Sequence, residues 1–236
     1  MKQDWVKKLR QSTSQWILSV VFVALAGVTK ASACSLALVL AMDVSASIDE
    51  REYRLQQDGL AQALADRDVM EAIRMQGGIW LRAFEWSGAH RQADWLDWTF
   101  IDTEESVRAA ASKFAMVERS ANEFPTALGY ALVYAQYQLR KAPERCARKV
   151  IDVAGDGVNN DGFPPVSAYK AMDMEGITVN GLVIAGDTPS PVPYYQERVV
   201  YGPGSFLEVA DGYEDYATAM RRKLLREIGA AYVQLR

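Results

Sequence analysis

Residues 36–42 read Leu-Ala-Leu-Val-Leu-Ala-Met, seven apolar residues without a break, and they stop at Asp43. A strand with one wet face alternates apolar and polar residues, so a run without alternation belongs to a strand covered on both faces. Such a strand lies inside a parallel sheet clothed by helices, and the rest of the chain keeps to that plan. Segments 79–86, 93–101, 149–155, 177–185 and 206–210 read as further strands, and 49–73, 127–141, 164–174 and 213–233 as helices. Within 49–73, Tyr53, Leu60, Leu64, Val69 and Ile73 fall on one face; in the last helix Tyr216, Met220, Leu224, Ile228 and Tyr232 recur at near-helical intervals. Thr103, with Ser106 three residues on, caps another helix. The link at Ser87-Gly88-Ala89-His90 is too short for a crossover helix, so the second and third strands form an antiparallel hairpin at a sheet edge. The fold class is therefore α/β, a doubly wound, mostly parallel sheet. One connection stands apart: residues 187–204 hold Pro189, Pro191, Pro193 and Pro203 and read as a long irregular loop.

The first 33 residues read as a cleaved signal peptide. Lys2, Lys7, Lys8 and Arg10 form a basic start, 17–28 an apolar centre, and Ala31-Ser32-Ala33 a small-residue cleavage site. The apolar centre is well short of the roughly 20 residues that span a bilayer, and no later stretch is longer. One domain, 34–236, follows, placed in the periplasm or outside the cell. From Cys34 onward 21 basic residues face 29 acidic ones, a net charge of about −8. Such a surface argues against nucleic acid and anionic lipid as partners, since both need basic neutralisation.

Cys34 and Cys146 are the only cysteines. Each stands about the same distance ahead of an Asp that ends a strand, Asp43 and Asp156. If those strands are parallel neighbours, both thiols lie at one edge of the sheet, and an oxidising compartment favours a Cys34–Cys146 disulfide. The competing reading, a lipid-anchored Cys34, is disfavoured by Ala31, where a lipobox usually has Leu.

Asp43-Val44-Ser45-Ala46-Ser47 places a carboxylate and two hydroxyls at alternate positions beyond a strand end. Open α/β sheets bind ligands at that end, where connections diverge to opposite faces. Asp156 ends a second strand, and Thr126 precedes the helix leading back toward it. Asp43, Ser45, Ser47, Thr126 and Asp156 would then form an oxygen-only site suited to Mg2+ or Mn2+. A position left open on the ion could take a Glu or Asp from another protein. Asn159, Asn160 and Asp161 beyond Asp156, and Asp49 and Glu50 beyond the serines, read as solvated turn and cap residues. Glu85 and Trp86 end the second strand; Trp86 reads as core and Glu85 as a group supporting the site and a candidate contact for a partner. Tyr194, Tyr195, Arg198 and Tyr201 give the Pro-rich loop the composition of an interaction surface.

These residues resemble a known family. Asp43-x-Ser45-x-Ser47, Pro125-Thr126-Ala127-Leu128-Gly129 and Asp156-Gly157, in that order, are similar to the metal-ion-dependent adhesion site of von Willebrand factor type A (vWA) domains. Phe84-Glu85-Trp86-Ser87-Gly88, Val150-Ile151-Asp152-Val153 and Gly155-Asp156-Gly157-Val158-Asn159-Asn160 more closely resemble a bacterial family of secreted vWA-like proteins of unknown function. The resemblance implies six strands in the order 3-2-1-4-5-6 with the third antiparallel. It also implies that Ser45, Ser47 and Thr126 bind the ion through hydroxyls, and Asp43 and Asp156 directly or through water. The function implied is a metal-dependent protein-binding module for adhesion or scaffolding, not an enzyme. A metal-assisted, phosphoesterase-like hydrolase is the rival. His90 is the only histidine, and no Gly-x-Ser-x-Gly elbow, Walker loop or dinucleotide fingerprint occurs. A structural subunit with a non-docking metal is a third reading.

Overall fold

The computed structural model describes residues 34–186 and 188–233, with side chains to Gly229; the proposed signal peptide and the Tyr232 side chain lie outside the described residues. Six strands form one sheet: β1 (Leu36–Asp43), β2 (Ile79–Trp86), β3 (Gln92–Ile101), β4 (Arg148–Gly155), β5 (Ile177–Ile184) and β6 (Leu207–Ala210). Their order is β3-β2-β1-β4-β5-β6, with β3 antiparallel to β2 and every other pair parallel. Seven helical segments accompany them: α1 (Glu50–Leu64), α2 (Arg67–Met75), α3 (Glu104–Met116), α4 (Leu128–Arg140), α5 (Pro165–Ala171), the single turn α6 (Val192–Tyr194) and α7 (Tyr216–Val233).

Alternation of Cβ direction along β1 divides the core in two. Leu36, Leu38, Leu40 and Met42 pack with residues of α1, α2, α3 and α7, while Ala37, Val39 and Ala41 pack with residues of α4 and α5. All eight residues of β1 are buried, as an unalternating apolar run requires. Each fully buried Leu contributes about 2 kcal/mol of transfer free energy. Trp86 is fully buried on the α4 side.

Two segments depart from the expected boundaries. The predicted helix 49–73 is two helices, although Tyr53, Leu60, Leu64, Val69 and Ile73 are all buried as expected. Asp66 is the cause: its carboxylate accepts from the backbone N–H groups of Asp68 (2.9 Å) and Val69 (3.4 Å), which starts a new helix. The apolar spacing stays in phase across that break, so periodicity alone hides it. The Pro-rich connection is not irregular throughout, because α6 runs on into a π-turn, Tyr195–Val199, with Tyr195 and Val199 fully buried against the sheet. At the other end of the fold, Cys34 and Cys146 form the expected disulfide, with an S–S distance of 2.05 Å.

Candidate metal centre

Register fixes the site before any side chain is considered. Met42 of β1 lies opposite Ala154 of β4, so Asp43 and Asp156 leave neighbouring strands at the same end of the sheet. The β1–α1 loop carries Ser45 and Ser47 over that end, and the residues ahead of α4 bring Thr126 to it. Thr126 Oγ1 is 3.2 Å from Ser45 Oγ, Ser45 Oγ is 3.3 Å from Ser47 Oγ, and Ser47 Oγ donates to Asp156 Oδ1 at 3.0 Å. Asp43 Oδ1 accepts the Ser45 backbone N–H at 2.8 Å. All five sequence-predicted ligands thus meet in one cluster. Ser47 is exposed at its mouth, and the other four are buried.

The donor set fits a small hard cation. Asp43 Oδ2 is buried without a hydrogen-bond partner, and burial, followed by the nearby Asp156 charge, pushes the Asp43 carboxyl up to about 8. Two carboxylates and three neutral hydroxyls supply oxygen only, which Mg2+ and Mn2+ prefer. Among the described residues no group of three His, Cys, Asp or Glu side chains is placed to hold a metal, and in this cluster hydroxyls stand beside only two carboxylates.

The backbone around these ligands is held by residues that the sequence reading passed over or misjudged. Arg119 Nη2 donates to the carbonyls of Val44 (2.9 Å), Ser45 (3.1 Å) and Ile48 (2.9 Å), tying down the loop that carries both serines. Gln56 Nε2 donates to the Asp43 carbonyl at 2.8 Å. The turn after Asp156 is a clamp rather than a solvated connection. Asn160 Oδ1 accepts the Thr126 N–H at 2.7 Å, while the N–H groups of Asn160 and Asp161 both reach the Thr126 carbonyl. Asn159 Oδ1 accepts from Gly129 N–H (3.3 Å), and Asp161 Oδ2 accepts from Ala89 N–H (2.9 Å). The run Asn-Asn-Asp was the available signal, since Asx side chains bind backbone donors in turns. Nothing in the sequence around Arg119 announces its role. Asp49 caps α1 as expected, in a reciprocal capping box with Glu52.

Of the proposed partner-binding residues, Tyr201 and Arg198 are exposed and Tyr194 is half-buried, its hydroxyl meeting the Asn159 backbone. Glu85 and Tyr195 are corrected: both are buried and offer a partner no surface. Glu85 faces the α1 side, where its carboxylate accepts from Trp95 Nε1 (2.9 Å) and Ser120 N–H (2.8 Å), so it holds the loop bearing Arg119. Tyr195 instead enters from the other face, beneath the site. A Cβ on Gly155 would lie 2.5 Å from Tyr195 Oη and 2.7 Å from Asp43 Oδ2, so only glycine leaves room for them there. Tyr213 Oη donates to Asp156 Oδ2 at 3.0 Å. Burial and the adjacent carboxylates push both tyrosine hydroxyls well up, keeping them protonated donors.

Solved structures share this architecture. Proximal thread matrix protein 1 from the mussel byssus is similar with a TM-score of 0.61 and 17% identity, over 84% of this chain and 48% of that one. The von Willebrand factor type A protein from Catenulispora acidiphila gives 0.59 and 14%, over 83% and 43%. The pilus adhesin SpaC from Lactobacillus rhamnosus GG gives 0.60 and 13%, over 83% and 31%. The chain thus spans about half the length of the first two or less. One structure of the mussel protein is described with a zinc-occupied MIDAS motif, the abbreviation for the metal-ion-dependent adhesion site. No curated protein matches. The fold is that of a vWA domain, and the chain, matched over residues 33–232, belongs to the family described as "Protein of unknown function (DUF1194)".

Proposed function

We propose that this chain is a vWA-type protein-binding module of the periplasm or cell exterior, and that it captures an acidic side chain of a protein partner through Mg2+ or Mn2+. The observation that carries the reading is the meeting of Asp43, Ser45, Ser47, Thr126 and Asp156 in one hydroxyl–carboxylate cluster at the end of the sheet. These five residues would hold the ion, which when bound offers a partner's carboxylate a Lewis-acidic docking point. The protein's own part is to hold the oxygens in place: Arg119 and Gln56 fix the β1–α1 loop, and the 159–161 turn fixes Thr126. Tyr194, Arg198 and Tyr201 stand on the connection after β5 and would extend the contact surface beyond the ion.

We read the module as non-enzymatic. His90, the single histidine of the sequence, packs edge-on to Tyr130 with ring centroids 5.2 Å apart, in the β2–β3 turn. Affinity capture from the envelope fraction tests the reading, with Mg2+ or EDTA and with Asp43→Ala beside the native chain. Capture that needs Mg2+ and fails for Asp43→Ala is expected; capture indifferent to both overturns the docking role. Saturating Mg2+ at about 100 times its Kd should also add about 2.7 kcal/mol of stability. That gain without metal-dependent capture would identify a structural ion instead.

A further inference from the structure

Each carboxylate of the cluster has its two oxygens facing different donors. Asp156 Oδ1 accepts from Ser47 Oγ, while Oδ2 accepts from Tyr213 Oη at 3.0 Å, a bond that reaches across from the turn preceding α7. Asp43 repeats the division from the opposite face of the sheet. Oδ1 accepts the Ser45 N–H at 2.8 Å. Oδ2 and Tyr195 Oη, both buried without a hydrogen-bond partner, flank the space beside Gly155 that a side chain there would fill. A buried hydroxyl and a buried carboxylate oxygen on the two sides of so narrow a gap are placed to satisfy one another by a small rotation or through one water. The oxygen keeps a second lone pair for other use. Neither tyrosine belongs to the Asp-x-Ser-x-Ser, Thr or Asp pattern, and they arrive from separate connections, after β5 and after β6.

Coordination chemistry gives this division a consequence. Ca2+ takes six to eight oxygens and readily binds carboxylates through both, whereas Mg2+ keeps about six ligands at short, near-octahedral positions. A fixed donor on one oxygen takes up one of its lone pairs and sets the orientation of the carboxylate, so turning both oxygens onto one ion works against that bond. We propose that Tyr213 and Tyr195 are positioning residues of the metal centre: by engaging the second oxygen of Asp156 and Asp43 they make each carboxylate a one-oxygen ligand, and so select Mg2+ or Mn2+ over Ca2+. The proposal rests on the metal reading above and adds to it the source of ion selectivity.

The test is isothermal titration of the mature chain, freed of metal by EDTA and dialysis, with Mg2+ and with Ca2+ separately. Native protein is compared with Tyr213→Phe, Tyr195→Phe and, as a control, Tyr137→Phe on the exposed face of α4. Phenylalanine keeps the ring packing, and melting temperatures without metal show that each variant folds; if Tyr195→Phe does not, Tyr213→Phe decides alone. The native chain should prefer Mg2+. The ratio of Ca2+ to Mg2+ dissociation constants should fall about fivefold in each of the two Phe variants, the worth of about one hydrogen bond, and stay level in Tyr137→Phe. Merely structural tyrosines would weaken both ions by one factor, and a ratio within about twofold of native overturns the proposal while leaving the metal centre standing. A native chain that binds neither ion overturns the metal reading, and this inference with it.

Discussion

Below the candidate metal centre, α7 drives a lysine into the core. Lys223 is fully buried, with Nζ 2.6 Å from Asp152 Oδ1 on β4 and 2.5 Å from Glu227 Oε1 one turn along the helix. Asn180 Nδ2 also donates to Glu227 Oε1, at 2.8 Å, and Arg148 donates to the Glu227 and Ile228 carbonyls, outside the carboxylate pair. Replacing Lys223 with Met keeps the apolar stem and leaves two buried carboxylates facing each other. Removing one partner of such a set costs about 3–5 kcal/mol. The loss should depend on pH in a definite sense. Burial, then the Glu227 charge, already pushes the Asp152 carboxyl up to about 7 from 3.8, even with Lys223 opposing the shift. A raised carboxyl holds its proton in the folded protein where the unfolded chain has lost it, so stability falls as pH rises from about 4 to the folded value. Without Lys223 that value climbs further, and each added unit of pH in the widened window costs about 1.4 kcal/mol. Urea unfolding followed by circular dichroism should therefore show Lys223→Met losing about 3–5 kcal/mol at pH 8 and about 1–2 kcal/mol less at pH 5. Adding Asp152→Asn should recover most of the loss at pH 8. An equal loss at both pH values, or no recovery in the double variant, would refute the account.

Three further outcomes follow from the geometry. Cys34→Ser with Cys146→Ser opens a link between residues 112 apart in sequence, and chemical unfolding should register a loss of about 4–5 kcal/mol in the chain-entropy account. Gly129→Ala would set a Cβ 2.0 Å from the Phe163 carbonyl, so the first turn of α4 must shift; about 1–3 kcal/mol lost in urea, with weaker Mg2+ binding in titration, is expected. Arg119→Met frees three carbonyls of the β1–α1 loop, and Mg2+ affinity should drop about 10-fold or more while the far-ultraviolet spectrum stays unchanged.

What could be read in advance, and what could not, divides along a physical line. The unbroken run of 36–42 already demands a strand buried on both faces, and the short hairpin link already makes β3 antiparallel. Near-equal offsets of Cys34 and Cys146 from Asp43 and Asp156 imply that β1 and β4 are neighbours, and the disulfide and the register agree. The five residues of the Asp-x-Ser-x-Ser, Thr and Asp pattern do lie together at the end of the sheet, while Tyr213, which joins them at Asp156, carried no such signal. Those features are local or periodic, and side-chain periods of 2 and 3.6 survive in one dimension.

The tertiary structure alone decided the rest. Asp66 splits a helix by capping it, although the apolar spacing runs on through the break. Glu85 and Tyr195, proposed as partner contacts from a strand-end position and from loop composition, turn inward because the strand end and the π-turn face the core. Arg119, Tyr213 and Lys223 are single polar residues whose partners lie 57 to 75 positions away, apart from the Lys223 bond to Glu227 one helical turn on. No period or spacing marks such residues, because their value comes from one buried hydrogen bond or ion pair that exists only once distant segments have met.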